Sequence, residues 1–378
     1  MLNSTLEVAR GLAALWVFSY HIAEPIRVSS PTLGAIAAVG HLGVPVFFVI
    51  SGYCIMASAE KTRARGEPAT HFLYWRFLRI FPPFWCSLLV VILLPFLLEA
   101  ISSLKTGIYT PPTPRWMSAG PADWGEILTL TRAFFFPGEP GADVYSAVNS
   151  VYWTLAIEFQ FYAVLFAALL SRRHFDRILA WVSVCGIATA LIPGAYYLGV
   201  FLPYWPMFLL GIALNRILVH KLDPGAVFRV RSSFPVFLLG GLIGAAFVSL
   251  ILTGQVAALS ASSPHLCDFL VALACVALFW LVTGLNPSIA NRIHRTVPFV
   301  RYPMRGLLLL GTISYSLYLV HGKLYQLPFM FARAVVPADS LLLPLLTMLG
   351  TILLTCAFYL LCEQPFLRVR RPLLAWPR

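Results

Sequence analysis

Apolar runs long enough to cross a bilayer recur from one end of this chain to the other, and that repetition constrains the fold more than any other feature. About 20 apolar residues in an α-helix span the ~30 Å hydrocarbon core, and in lipid the backbone must satisfy its own hydrogen bonds. A chain that repeats such runs reads as an all-α, polytopic membrane protein. Composition agrees, since 59% of residues are hydrophobic and only 11% charged, where a soluble domain has about 25% charged. Ten transmembrane helices are expected, at roughly 6–22, 43–59, 83–101, 151–170, 177–193, 203–219, 235–253, 266–284, 306–324 and 341–362. Several contain Pro or Gly, which membrane helices tolerate. No internal repeat is visible, which weakens an inverted-repeat transporter. Residues 1–378 read as a single integral-membrane domain with a core over about 6–366.

The net charge of +12, carried by 27 Lys and Arg, invites a nucleic-acid partner, but its distribution points elsewhere. Basic residues gather in alternate loops: Lys61, Arg63, Arg65, Arg76 and Arg79; Arg172, Arg173 and Arg177; Arg216, Lys221, Arg229 and Arg231; Arg292, Arg295, Arg301 and Arg305; then Arg368, Arg370, Arg371 and Arg378. The opposite loops hold only Arg27, Lys105, Arg115, Arg132, Lys323 and Arg333. Under the positive-inside rule both termini, including a short basic tail at 367–378, face the cytoplasm, and the number of spans is even. The charge records topology, so the expected partner is the lipid bilayer and no nucleic acid.

Residues 102–150 form the one long outer stretch. Its Tyr109-Thr110-Pro111-Pro112-Thr113-Pro114 run is turn-forming, and Asp123 is placed to cap a short amphipathic helix running to Arg132. Trp116 and Trp124 above a membrane core suit a lid or substrate platform, and suit a plain connection equally well. The seven cysteines lie within or at the ends of apolar spans, form no C-x-x-C pair, and read as buried free thiols. The first span has neither a basic n-region nor a convincing cleavage site and is expected to be retained.

Within that first span, Arg10 and His21 are the most telling pair. Eleven helical steps of about 100° come to three turns plus about 20°, so both side chains share one face. The same steps rise about 16 Å, which separates the guanidinium near one bilayer surface from the imidazole near the other. Two ionisable groups on one stripe suggest a lined cavity between helices. The plainer reading makes Arg10 a positive-inside anchor and His21 an interfacial residue.

Further local patterns follow in order: Arg10-Gly11-Leu12-Ala13-Ala14 running to His21; Gly43-Val44-Pro45-Val46-Phe47-Phe48-Val49-Ile50-Ser51-Gly52-Tyr53; Arg76-Phe77-Leu78-Arg79-Ile80-Phe81-Pro82-Pro83; Trp153-Thr154-Leu155-Ala156-Ile157-Glu158-Phe159-Gln160-Phe161-Tyr162; Gly311-Thr312-Ile313-Ser314-Tyr315-Ser316-Leu317-Tyr318-Leu319-Val320-His321; and Glu363-Gln364-Pro365-Phe366. Each is weak alone. In this order, over residues 6–366, the set resembles the membrane acyltransferase 3 family, which acylates bacterial surface and secreted carbohydrates. The resemblance implies a ten-span core in the bacterial inner membrane and transfer of an acyl group, usually acetyl from acetyl-CoA, to a sugar hydroxyl. It also implies functional roles for Arg10, His21, Arg76 and Arg79; their charge makes Arg10, Arg76 and Arg79 the residues expected to bind the acyl-CoA donor.

The chemistry of the same residues can be weighed separately. A sugar hydroxyl is a poor nucleophile until a base takes its proton, and imidazole suits that task at neutral pH, so His21 is the candidate general base. Glu158 would lie about 10 Å below the outer surface if its span starts near Val151. A carboxylate at that depth orients an imidazole catalytically or joins a structural ion pair or interhelical hydrogen bond, with the structural role slightly favoured. Ser314, Tyr318 and His321 share a helical face that binds acceptor hydroxyls or simply joins helices, and for His321 packing or positioning is favoured over catalysis. Arg76 and Arg79, at i and i+3, could clamp coenzyme A phosphates bidentately or merely anchor the span. Phe47-Phe48 and Ser51-Gly52 line a channel for the donor arm or pack helices.

The reading is therefore a membrane O-acyltransferase with acyl-CoA as donor substrate, a carbohydrate acceptor, no permanently bound cofactor and no metal. The main rival is a transporter or flippase of a lipid-linked or anionic sugar, which would show no acyl-CoA dependence. A structural subunit of a polysaccharide machine would tolerate loss of His21. The eight dispersed histidines argue against a metal centre, and the absence of a phosphate-binding Gly-rich loop argues against an ATP-driven pump. Oligomeric state is not legible in the sequence.

Overall fold

The computed structural model describes residues 2–131, 147–192, 194–195, 199–219, 234–283 and 298–369. Among these the regular elements are helices: α1 (Leu2–His21), α2 (Ala23–Ser29), α3 (Pro31–Ala38), α4 (Gly43–Ala64), α5 (Ala69–Thr106), α6 (Pro121–Thr129), α7 (Trp153–Leu170), α8 (Phe175–Ala190), α9 (Trp205–Val219), α10 (Phe234–Leu252), α11 (Gln255–Ser262), α12 (Pro264–Thr283), α13 (Pro298–Thr312), α14 (Ser314–Leu324), α15 (Gln326–Arg333), α16 (Leu342–Phe358) and α17 (Gln364–Val369). Short 3-10 turns join several of them, and a π-helical turn at Tyr359–Glu363 separates α16 from α17. The chain divides into two compact units, Met1–Glu60 with Tyr204–Ser314, and Lys61–Pro203 with Tyr315–Arg378.

In the first unit, glycines let helices approach backbone to backbone, the usual device where lipid supplies no drive to associate. A Cβ at Gly11 would lie 2.6 Å from the Gly311 nitrogen, and one at Gly311 would run into the Glu7 carbonyl, which sets the crossing of α1 and α13. Gly52 and Gly211 do the same for α4 and α9, where a Cβ on either would collide with the other helix's backbone. Phe48 is buried with its ring edge-on to Tyr204 at 5.8 Å. Phe48 and Gly52 therefore pack helices within this unit. Val39, Leu42, Ile251, Val256 and Cys267 form an apolar cluster that ties the turn before α4 to α10, α11 and α12. The chain bends by 73° between α10 and α11, with Gly254 at φ +76.

The second unit is built along α5, whose 38 residues extend about 57 Å, well beyond the ~30 Å hydrocarbon core. Trp85, Leu89, Leu93 and Leu97 are exposed at every fourth position, while Ile80, Phe84, Leu88, Val91 and Leu94 are buried. An exposed helical stripe that is wholly apolar faces lipid rather than water. The helix passes through Pro82, Pro83 and Pro95 and stops at Gly107, whose φ of 71 closes the end by donating to the Ser103 carbonyl. On α16, Thr347, Thr351 and Thr355 are buried and each hydroxyl donates to the carbonyl four residues earlier.

Described helices fall within each expected segment, but only five of them are long and apolar enough to cross a membrane by themselves, or up to seven with two broken pairs counted as spans, rather than ten. Three expectations are revised. The segment at 306–324 is not one helix but α13 and α14, interrupted at Ile313, where the Ser314 hydroxyl turns back to the Gly311 carbonyl at 2.7 Å. The segment at 83–101 is the middle of a helix that begins at Ala69, so Arg76 and Arg79 sit in helix rather than in a loop. The cysteines are not uniformly buried: Cys267 is, Cys185 is exposed, and the rest are intermediate.

Within residues 102–150, α6 starts at Pro121 rather than at Asp123, and the Asp123 carboxylate caps it from within by accepting from the Gly120 N–H at 2.9 Å. The helix stops at Thr129, and Trp85 on α5 donates to the Leu128 carbonyl at 3.0 Å, holding α6 against α5. Arg132, Lys221, Arg229, Arg231, Arg292 and Arg295, together with the tail from residue 370, lie outside the described residues.

Candidate active site

Arg10 and His21 belong to the first unit, on one uninterrupted helix. The eleven-step geometry therefore applies, with both side chains half-buried on one face and about 16 Å of rise between their positions. His21 is the last residue of α1. Tyr20 stands with its ring edge against His21 at 5.5 Å and against His41 at 5.3 Å. His41 in turn shares a hydrogen bond with the Ser260 hydroxyl at 2.9 Å. That contact places the end of α1, the start of α4 and the α11 segment on one face of the unit. His41 and Ser260 escaped the sequence reading, because neither lies in a helical spacing with His21 and their approach is purely tertiary.

The second unit gathers the other charged candidates. Arg76 lies over the Phe72 ring at 5.6 Å and the Tyr162 ring at 5.7 Å, and Arg79 lies over the Tyr315 ring at 5.7 Å. Glu158, one turn before Tyr162 on α7, accepts a hydrogen bond from its hydroxyl at 2.7 Å. Arg79 is close enough to both Glu158 and Glu363 to feel their charge. The sequence reading set the arginines at the inner surface and Glu158 near the outer one, but the fold brings all three into one cluster. Aromatic faces around both guanidiniums are cation–π partners that a plain surface anchor would not require.

Glu363 is a further candidate. It lies in the last of the six motifs, where a carboxylate 284 residues from Arg79 gives no local sign of pairing with it. The side chain is fully buried, lies 3.5 Å from Arg79 Nη1 through Oε1, and accepts from the Ser316 hydroxyl at 2.6 Å through Oε2.

The proposed hydroxyl-binding stripe is mostly committed to the protein itself. Ser314, Tyr318 and His321 all lie on α14 and are buried. The Ser314 hydroxyl is engaged with the Gly311 carbonyl, and Tyr318 pairs with Thr154 at 2.6 Å and donates to the Val151 carbonyl at 3.2 Å. His321 Nδ1 donates to the Leu317 carbonyl at 2.9 Å, which assigns the proton to that nitrogen and fixes the ring. This is how a helix-joining or positioning stripe is held.

Residues 3–362 match the acyltransferase 3 family, whose model is described as an acyltransferase domain. The chain is similar to the O-acetyltransferase PaAT-1 of Phomopsis amygdali, with 26% identity over 384 residues, 86% of this chain and 73% of that protein. It is also similar to the acyltransferase MdmB of Streptomyces mycarofaciens, with 27% identity over 192 residues, 48% of this chain and 43% of the relative. No solved structure matches. With one family matched over nearly its whole length and apolar helices fit to cross a bilayer, the chain belongs to the acyltransferase 3 family and is a multi-pass membrane O-acyltransferase, transferring groups other than amino-acyl groups.

Proposed function

We propose that this enzyme takes an acetyl group from acetyl-CoA at the cytoplasmic face of a bacterial inner membrane and places it on a hydroxyl of a surface or secreted carbohydrate, with ten membrane crossings and cytoplasmic termini. The observation that carries the reading is the arginine cluster on α5, Arg76 and Arg79 walled by aromatic rings; within the other unit, α1 carries an imidazole at the end of the stripe that begins at Arg10. The name of the fungal relative supports acetyl as the group and oxygen as the acceptor atom.

In this reading Arg76 and Arg79 hold the donor's phosphates, since planar guanidiniums meet phosphate oxygens two at a time. Arg10 supplies further positive charge on the donor side. The rise from Arg10 to His21 is comparable to an extended phosphopantetheine arm, so a nucleotide bound at one face can present its thioester towards the other. His21 takes the proton from the acceptor hydroxyl as the oxygen attacks the thioester carbonyl carbon. The carbon–sulfur bond then breaks, and the imidazolium returns the proton to the departing thiolate. Glu158 tunes the arginine cluster and is the next base to examine if His21 is dispensable. Ser314, Tyr318 and His321 shape the acceptor side by positioning α14. Both units serve one acyltransferase domain, in keeping with a single family match across them.

The test is mass spectrometry of envelope and secreted glycans from cells with and without the gene. An acyl mass present only with the gene supports the proposal. Identical glycans with an altered amount of exported sugar would replace it with a transporter.

A further inference from the structure

We propose that Glu363 is a positioning residue for donor binding: it fixes the Arg79 guanidinium in the orientation in which Arg79 grips the acyl-CoA. This deepens the donor reading above and rests on it. The geometry is specific. Glu363 has no exposed surface; its Oε1 faces Arg79 Nη1 at 3.5 Å as an ion pair without a hydrogen bond, while Oε2 accepts from the Ser316 hydroxyl at 2.6 Å. The carboxylate therefore supplies charge and direction without saturating the guanidinium. Arg79 keeps a partly exposed side chain, 24% by relative area, and its guanidinium carries five N–H donors, more than the Glu363 carboxylate engages.

The backbone is also adapted to this placement. Tyr359–Glu363 is a π-helical turn, and an extra residue in a helical turn is costly and concentrates at functional sites. Here it shifts the last residues of the span and delivers Glu363 to the Ser316 and Arg79 side chains. Ser316 comes from α14 and Arg79 from α5, so one carboxylate links three elements of the second unit. A buried ion pair adds little stability against a well-packed apolar substitute, which leaves specificity of orientation as the stronger reason for its presence.

The test uses the purified full-length protein in detergent or nanodiscs, with acetyl-CoA as the probe and both affinity and thermal unfolding measured. Wild type is expected to bind. Glu363→Gln should raise the acetyl-CoA dissociation constant on the order of 10-fold, the scale on which an outer partner acts on a ligating side chain. Ser316→Ala should raise it less. The decisive arm is a double-mutant cycle: in an Arg79→Ala background, Glu363→Gln should change affinity by less than about twofold, because the residue it positions is gone. If Glu363→Gln does not fold, Glu363→Asp and Ser316→Ala carry the test and must weaken binding. Unchanged affinity in a folded Glu363 variant, or an equal loss with and without Arg79, overturns the proposal while leaving the donor reading intact. Absence of acetyl-CoA binding in wild type overturns the donor reading, and this proposal with it.

Discussion

Arg79 shows how one side chain combines a structural and a chemical demand. It faces a fully buried carboxylate, lies over the Tyr315 ring and stays partly exposed. Removing its charge leaves Glu363 buried without its cation, which typically costs about 3–5 kcal/mol, so Arg79→Ala should both destabilise the protein and weaken acyl-CoA binding. Arg79→Lys separates the two effects. It keeps the charge beside Glu363 but loses the planar two-point contact, and it should retain near-wild-type thermal stability with weakened acetyl-CoA affinity. Calorimetric titration of the folded Arg79→Lys protein checks this, and unchanged affinity would return the arginine pair to membrane anchoring. That Arg10 shares a helix with His21, and Arg76 with Arg79, was legible in sequence, because each pair has a local helical spacing. Glu363, His41 and Ser260 were not, because their partners are far away in the chain and only the fold supplies them.

Helices were the most legible feature, since an apolar run in lipid has few alternatives to helical hydrogen bonding. What the sequence concealed was where helices break or continue. A span was expected to begin at Pro83, but α5 runs on through Pro82 and Pro83 from Ala69. Residues 306–324 looked continuous, yet the chain breaks at Ile313, where the Ser314 side chain bonds the backbone in place of a regular turn. Close helix crossings were equally hidden, because a glycine in an apolar run signals nothing until its neighbour is known. Gly311 meets the Glu7 backbone, so Gly311→Ala must push α1 and α13 apart. Overpacking of this kind costs about 1–3 kcal/mol, and a lowered unfolding temperature of the purified protein is the expected result. The same change at Gly244, where a Cβ meets nothing within 4 Å, should leave the unfolding temperature nearly unchanged.

At the scale of the whole molecule, the alternation of basic loops predicts that residues 118 and 231 lie on opposite sides of the membrane. Single cysteines at Ser118→Cys and Arg231→Cys, in a cysteine-depleted background, should label from opposite faces with a membrane-impermeant reagent. Labelling from the same face would remove the cytoplasmic-termini topology. The family match fixes the reaction class, while the direction of transfer across the membrane and the base that starts it rest on the α1 stripe. The most direct test is His21→Gln, which keeps hydrogen-bonding capacity but cannot take a proton at neutral pH. Measured by mass spectrometry of glycans from cells producing equal amounts of membrane-inserted protein, wild type should yield the acyl mass. His21→Gln should lose it, in line with the roughly 10²–10⁴-fold rate contribution of a general base. Near-wild-type acylation by His21→Gln would contradict the account and move the search for the base to Glu158 or His321.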